Sequence, residues 1–440
     1  MDIRKIYQPM RENVLHFIWQ YGLFDKDRLY TLDGERVEYI HPGQLNPDSG
    51  PDFFNARLRI GGLLLAGNVE LHAEGPDWYL HRHQNDAAYS NVILHVVLRK
   101  GCRTQVLGKD IPVLELYPFV EKAFWQTYTG LQKVSGRPAC THALEQVPGI
   151  YFTRQWEKAG IERIQEKARR LEELFQGTGQ RIDQAFFILL CRNFGFGINT
   201  EAGQMLGLRT DVKILARHKH SLFQLEAILL GMAGFLNDPG ENAYALELRR
   251  EFLHIRRLFP LSPMQKHLWK FSKTRPGNFP TVRLAQLAAL VHHSSFMVNR
   301  ILEQNDPEGI RSLFRASCSD FWATHYDFDS PRPRRQEQLG EHSIDGLLIN
   351  SAVPLMAWEA ARSGNTALMD RTVELLQSLP PEDNRHTRVY AQWAVPKQNA
   401  FDTQAAYQQH KRYCRARQCI SCLVGNKILR NGTLPVKNSS

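Results

Sequence analysis

Two stretches decide how this chain is read: Asn46-Pro-Asp-Ser-Gly-Pro-Asp52-Phe-Phe-Asn55 and, shortly after, Gly67-Asn-Val-Glu70-Leu-His72. Asn46–Pro51 has the composition of a turn, and Phe53–Ile60 and Leu63–His72 are strand-like runs joined by Gly61-Gly62. Such a pattern predicts a β-hairpin. Side chains alternate across a strand, so Val69 and Leu71 face one side while Glu70 and His72 project together from the other. Pairing of the two runs sets Asp52 beside the end that carries Glu70. Two carboxylates and an imidazole then converge at one sheet edge, a group able to bind a hard divalent ion and orient a water.

Outward from this hairpin, Val14, Phe17, Ile18 and Tyr21 recur at helical spacing within 9–21, and Gly22 closes the helix. Val37–His41 reads as a short strand, Trp78–His81 as a short helix within an irregular segment, and Asn91–Leu98 and Val113–Leu116 as further strands. The block is mixed α/β. Beyond Val147 the apolar pattern turns helical: Ile161, Ile164, Ala168, Leu171 and Leu174 form one stripe, and Ile182–Phe194, Leu222–Leu236, Tyr244–Leu258, Arg283–Phe296 and Ala352–Ala361 are further helices. Asn237–Glu241 and Lys273–Pro280 read as breaks, and Ser330–Gln338 as a mobile loop. The expectation is an α+β fold: a mixed-sheet domain over residues 1–145, a mostly helical domain over 146–405, and a basic, cysteine-bearing tail over 406–440.

Asp52, then Glu70-x-His72, set in a helix–strand–strand–strand–helix–strand order, resembles the PD-(D/E)XK nuclease core. Pro51-Asp52 looks like that family's PD, and Glu70-Leu-His72 like its (D/E)XK, with His72 where the family usually has Lys. The resemblance implies a Mg²⁺- or Mn²⁺-dependent nuclease in which Asp52 and Glu70 hold the ion, His72 helps to position the water and Glu12, on the preceding helix, completes the acidic cluster. Lys100 or Arg99, ending the next strand, would replace the missing Lys charge. The chain as a whole is similar to the bacterial domain-of-unknown-function 2851 family. Asn46–Asn55, Gly67–His72, His81–Val97, RPGNFPTVRLAQLA at 275–288 and YCRARQCISCLVGN at 413–426 carry that likeness, which implies a bacterial source and no assigned activity.

A second chemistry competes for the same region. His72, with His81, His83 and Asp86, has the donor types of a transition-metal site and of a His-based metal-dependent hydrolase. His95 shares a strand face with Ile93 and Val97 and reads as a hydrogen-bonded core residue. At the far end, Cys414-x4-Cys419-x2-Cys422 suits the bite of zinc or an iron–sulfur cluster. His410, or a cysteine brought from elsewhere in the fold, would be the fourth ligand. Arg275 and Arg283 flank the start of an apolar helix, a place to grip a phosphate; the alternative is a rigid turn whose arginines are exposed or ion-paired.

Composition narrows the alternatives. The chain has 440 residues, 43% hydrophobic and 23% charged, with a net charge of +10. The charge is uneven: residues 1–120 hold 13 Lys/Arg against 15 Asp/Glu, whereas 410–440 hold seven Lys/Arg and no acid. A basic end of this kind suits a polyanionic partner, here nucleic acid. Seven cysteines in a chain this long, with Cys102, Cys140, Cys191 and Cys318 scattered, are not a disulfide framework. No run approaches the ~18 apolar residues of a membrane span, and no signal-peptide pattern occurs, which points to the cytoplasm. No GxxxxGK[ST] loop or nucleotide-binding GxGxxG occurs, which argues against an ATP motor or a Rossmann dehydrogenase. The functional expectation is a metal-dependent nuclease. The alternatives are an inactive nuclease fold that binds nucleic acid, and the His-based hydrolase.

Overall fold

Helix α1 (Glu12–Tyr21) buries Val14, Leu15, Phe17, Ile18 and Trp19 on its apolar face. It ends at Gly22, whose φ of +60° is a left-handed conformation that favours glycine. The computed structural model describes residues 12–133, 138–272, 274–294, 297–334, 338–383, 385–390 and 398–432, so 9–11 of the expected first helix lie outside them.

The strands follow as β1 (Val37–His41), β2 (Gln44–Leu45), β3 (Phe53–Ile60), β4 (Leu63–Glu74), β5 (Val92–Arg99), β6 (Thr104–Val106), β7 (Lys109–Ile111) and β8 (Val113–Glu115). The main sheet has the order β1-β3-β4-β5-β8, with β2 also pairing β3. β1, β3 and β4 are antiparallel neighbours, while β5 lies parallel to both β4 and β8. The expected hairpin is present, with Ile60 opposite Leu63 and Phe53 opposite Val69. An irregularity between Phe53 and Ala56 accompanies Asn55, at φ +56°. A parallel neighbour of β4 requires a crossover, and α2 (Asp77–Leu80) with its following turns supplies it. The chain passes close at Gly67, where a Cβ would meet the Asn91 carbonyl oxygen at 2.7 Å, so only glycine lets β4 and the start of β5 approach so nearly. The β6/β7 hairpin was not legible in the sequence because its short strands, Thr-Gln-Val and Lys-Asp-Ile, carry no apolar run of the kind that marks β8.

The chain divides into two units: Met1–Glu157 with Arg388–Val395 and Gln409–Ser440, and Lys158–Thr387 with Pro396–Gln408, each taken over its described residues. The C-terminal cysteine segment therefore belongs with the sheet. The first unit's strands bury Phe53, Leu58, Val69, Leu71, Leu94, Val96 and Leu114. Helix α3 (Lys122–Lys133) follows the sheet, and the unit boundary falls within helix α4 (Gly149–Gly177).

The second unit is helical. Ile182–Phe194, Leu222–Met232, Ala243–Leu258 and Pro280–His293 realise the expected helices. Leu222–Met232 and Pro280–His293 are buried on nearly every side, as suits helices at the centre of a core. Ser330 and Pro331, expected in a mobile loop, instead pair with His325–Asp327, while 335–337 lie outside the described residues. Among the described residues no helix is long and apolar enough to cross a membrane.

Candidate functional site

β4 brings Glu70 and His72 to one face, both buried. The turn before β3 folds Asp52 against them: the Asp52 amide donates to Glu70 Oε2 at 3.0 Å, and the Leu71 amide donates to Asp52 Oδ2 at 2.9 Å. α1 packs across β4 and delivers His16, whose Nε2 lies 3.1 Å from Asp52 Oδ2. Glu12, one helical turn earlier, is exposed, yet it is near enough to act electrostatically on Glu70.

The crossover after β4 adds the other imidazoles. His72 Nε2 lies 3.2 Å from His81 Nδ1 and 3.6 Å from Glu70 Oε1, and His83 Nε2 lies 3.5 Å from the same oxygen. The ligand atoms of His72, His81 and His83 all fall within 4.8 Å of one another, the one group of its kind among the described residues. Tyr89 stacks on His83 with ring centroids 3.9 Å apart. Beneath them Trp78 is fully buried and donates from Nε1 to the Gln105 carbonyl at 3.0 Å, tying the crossover to β6.

A chain of hydrogen bonds fixes the tautomer of His72. The Cys102 carbonyl only accepts, so the Thr104 hydroxyl donates to it, at 3.2 Å. Thr104 Oγ1 therefore accepts from His95 Nδ1 at 2.9 Å, which leaves His95 Nε2 as an acceptor. His72 Nδ1 lies 2.9 Å from that nitrogen and must carry the proton. The lone pair of His72 Nε2 consequently points at Glu70 and His81. His95 is thus both the hydrogen-bonded core residue its strand pattern implied and the orienting partner of a site residue.

Electrostatics match this geometry. Burial, reinforced by the charge of Asp52 and then of Glu12, pushes Glu70 up to about 9. Burial, with His83 and His81 nearby, pulls His72 down to about 3, and burial with the neighbouring His72 pulls His95 down to about 2. His83 is also lowered, first by burial. These rings are neutral near pH 7 and keep their lone pairs, while Glu70 holds a proton until something replaces it.

The two expected sites are therefore one. Asp52, Glu70, His72, His81 and His83 form one cluster, and His16 joins them. His16 and Thr104 were missed because their roles depend on tertiary contacts; the only sequence signal was Glu12-x3-His16, one helical face. Asp86 stands outside the imidazole trio: its Oδ1 caps the Ala88 amide at 2.9 Å, and it acts on His83 only through charge. Lys100 pairs with Glu74 at 2.7 Å on the exposed end of β5. In the helical unit, Arg275 lines a shallow cavity with Phe196, Ile198 and Asn278. Arg283, expected to grip phosphate, is buried and turned inward. It donates to Asn278, to Gln286 Oε1 at 2.7 Å and to Ser343 Oγ at 3.2 Å, and it stacks over Phe196 at 4.0 Å. Cys140, remote in sequence, lies near enough to Cys414, Cys422 and Cys419 for their charges to act on it.

The chain belongs to the family described as "Protein of unknown function (DUF2851)", which it matches over residues 12–385. No curated protein and no solved structure matches it.

Proposed function

We propose that this member of the DUF2851 family is a metal-dependent hydrolase of nucleic-acid phosphodiesters, its ion held by Glu70, His72, His81 and His83. The convergence of those four side chains carries the reading: one carboxylate oxygen and three imidazole nitrogens face a common point, and the lone pair of His72 is aimed there by Thr104 and His95. Three imidazoles and a carboxylate suit Zn²⁺ or Mn²⁺ better than Mg²⁺, which prefers oxygen ligands. When bound, such an ion acidifies a water and polarises a phosphoryl oxygen. His16 Nε2 lies 3.1 Å from Asp52 Oδ2, and the carboxylate keeps the ring at the cluster, where it serves as the proton carrier. The phosphodiester class rests on the likeness to the PD-(D/E)XK core. The antiparallel β1, β3 and β4, followed by α2 and a parallel β5, supports that likeness.

The test is incubation of the full chain with single- and double-stranded DNA and RNA under Mn²⁺, Zn²⁺ or Mg²⁺. An Asp52→Ala/Glu70→Ala protein and a His81→Ala/His83→Ala protein serve as comparisons. Metal-dependent cleavage lost in both variants is the expected result; equal cleavage in all three proteins would sink the proposal. One observation favours a second reading, an inactive nuclease fold that binds nucleic acid. His72, in the place of the usual Lys, is buried and neutral and offers no permanent positive charge. Binding that survives the double substitution, without cleavage under any metal, selects that reading.

A further inference from the structure

We infer that Cys140, Cys414, Cys419 and Cys422 hold a thiophilic metal centre that fastens the C-terminal segment to the sheet-bearing unit. This site is separate from the His-rich cluster.

Tertiary structure assembles it. Cys140 lies in the 3₁₀ helix Ala139–Gln146, and the C-terminal helix Leu423–Asn431 packs directly on that element. Cys422 is the N-cap of the C-terminal helix, and Cys419 precedes it by the three-residue step of a CxxC pair. Cys140 and Cys422 are buried, Cys414 and Cys419 half-buried, and all are free thiols; no three of their sulfurs lie within 4.8 Å of one another, a wider spacing than that of the imidazole trio, which suits a multi-iron cluster better than a single ion.

The strongest argument concerns where a buried amide points. The Leu423 backbone N–H can only donate, and it donates to Gln155 Oε1 at 2.8 Å. The Gln155 amide nitrogen must therefore face the other way, and it donates to Gln409 Oε1 at 2.7 Å. That in turn forces Gln409 Nε2 toward sulfur, 3.5 Å from both Cys414 Sγ and Cys422 Sγ. Gln155 and Gln409 are both buried. A neutral thiol is a weak acceptor, whereas a metal-bound thiolate is a strong one, so a buried donor locked between two sulfurs fits thiolates. The surroundings agree. Cys422 caps the N-terminus of the C-terminal helix, and residues 410–440 contain no acid. The fourth ligand is then Cys140, not His410.

The experiment is metal and sulfide analysis of the full chain, purified under reducing conditions. Wild type and His81→Ala/His83→Ala should carry the sulfur-bound centre alike, the variant losing at most the metal of the imidazole cluster, which separates the two sites. Cys140→Ser and Cys422→Ser should lose it, and Cys191→Ser should keep it. Zinc without visible colour identifies a mononuclear site; iron with sulfide and a visible band identifies a cluster. As a check that does not depend on variants folding, the metal-stripped wild type is titrated with Co²⁺. A sulfur-to-cobalt charge-transfer band should saturate at one equivalent for a mononuclear site. Metal content unchanged by Cys140→Ser, or wild type with neither metal nor any sulfur-to-cobalt band, overturns the inference.

Discussion

Asp52 and Glu70 are locked together through the main chain: the Asp52 amide holds one Glu70 oxygen, and the amide following Glu70 holds Asp52 Oδ2. The two carboxyl groups are thus fixed side by side. Glu70, the more buried, resolves the repulsion by keeping its proton.

Glu70 should make the metal-free protein less stable as pH rises. Its carboxyl is raised in the fold from 4.5 to about 9, so the native state keeps a proton that the unfolded chain releases. Its contribution is complete below pH 4.5 and is lost progressively up to about pH 9, at a slope of up to about 1.4 kcal/mol per pH unit. Glu70→Gln, which mimics the protonated form, should flatten that slope. On the acid side, His72 and His95 are lowered, so their contribution is present above 6.5 and falls as pH drops toward 3. Urea midpoints across pH 5 to 9 in chelator measure both limbs; a Glu70→Gln profile parallel to wild type would refute the first.

Metal binding at the cluster should release a proton. Glu70 must ionise to coordinate, so affinity for Zn²⁺ or Mn²⁺ should climb with pH, by up to about tenfold per unit, until it levels near the raised carboxyl value. Calorimetric titration in two buffers of different ionisation enthalpy reads the proton count. Glu70→Gln should show both weakened binding and no proton release. A pH-independent affinity in wild type would contradict the coordination assigned to Glu70.

Thr104 never touches the proposed ion, yet Thr104→Val should weaken metal binding about 10- to 100-fold, the usual effect of losing an orienting partner of a histidine ligand. Valine matches the shape of threonine but leaves His95 free to turn its proton toward His72, and the lone pair at His72 Nε2 is then no longer enforced. Thr104→Ser, which retains the hydroxyl, should restore affinity. Because Thr104 is fully buried, a thermal melt must accompany the titration. Equal affinity in the Val and Ser proteins would show that the relay does not set the tautomer.

How much of this was visible in the sequence follows from how local each signal is. β1 and β3 were read to the residue, and β4 and β5 to within one or two, because period-two apolar alternation is a property of the strand alone. The adjacency of Asp52 and Glu70 was legible too, since a hairpin carries its own register. His16 was not: its place beside Asp52 depends on how α1 crosses the sheet, which no periodicity encodes. Merging the carboxylates with His81 and His83 into one cluster required the conformation of the crossover, where Arg82 sits at φ +65° between them. Cys140 lay beyond reach for the same reason at longer range, since its neighbours stand at the other end of the chain. Arg283 shows the opposite failure. A motif suited to an anion is filled from within by Asn278, Gln286 and Ser343.

The helical unit has its own buried acid, and it tests whether burial alone makes a site. Glu226 is fully buried on helix Leu222–Met232, where its Oε2 accepts from the Tyr244 hydroxyl at 2.6 Å and from Trp322 Nε1 at 3.0 Å. Burial raises its carboxyl, as it does that of Glu70, but no imidazole group gathers around it. Its role is to accept from both donors; the Tyr244 hydroxyl also has Ser319 Oγ at 3.2 Å. Glu226→Leu strands the Trp322 N–H and leaves Tyr244 to Ser319, and should cost about 1–3 kcal/mol. Metal content and metal affinity at the His-rich cluster should not change. Chemical denaturation reads the first expectation and calorimetric titration the second. Loss of metal binding without loss of stability would place Glu226 in the functional machinery and reverse the distinction drawn between the two buried acids.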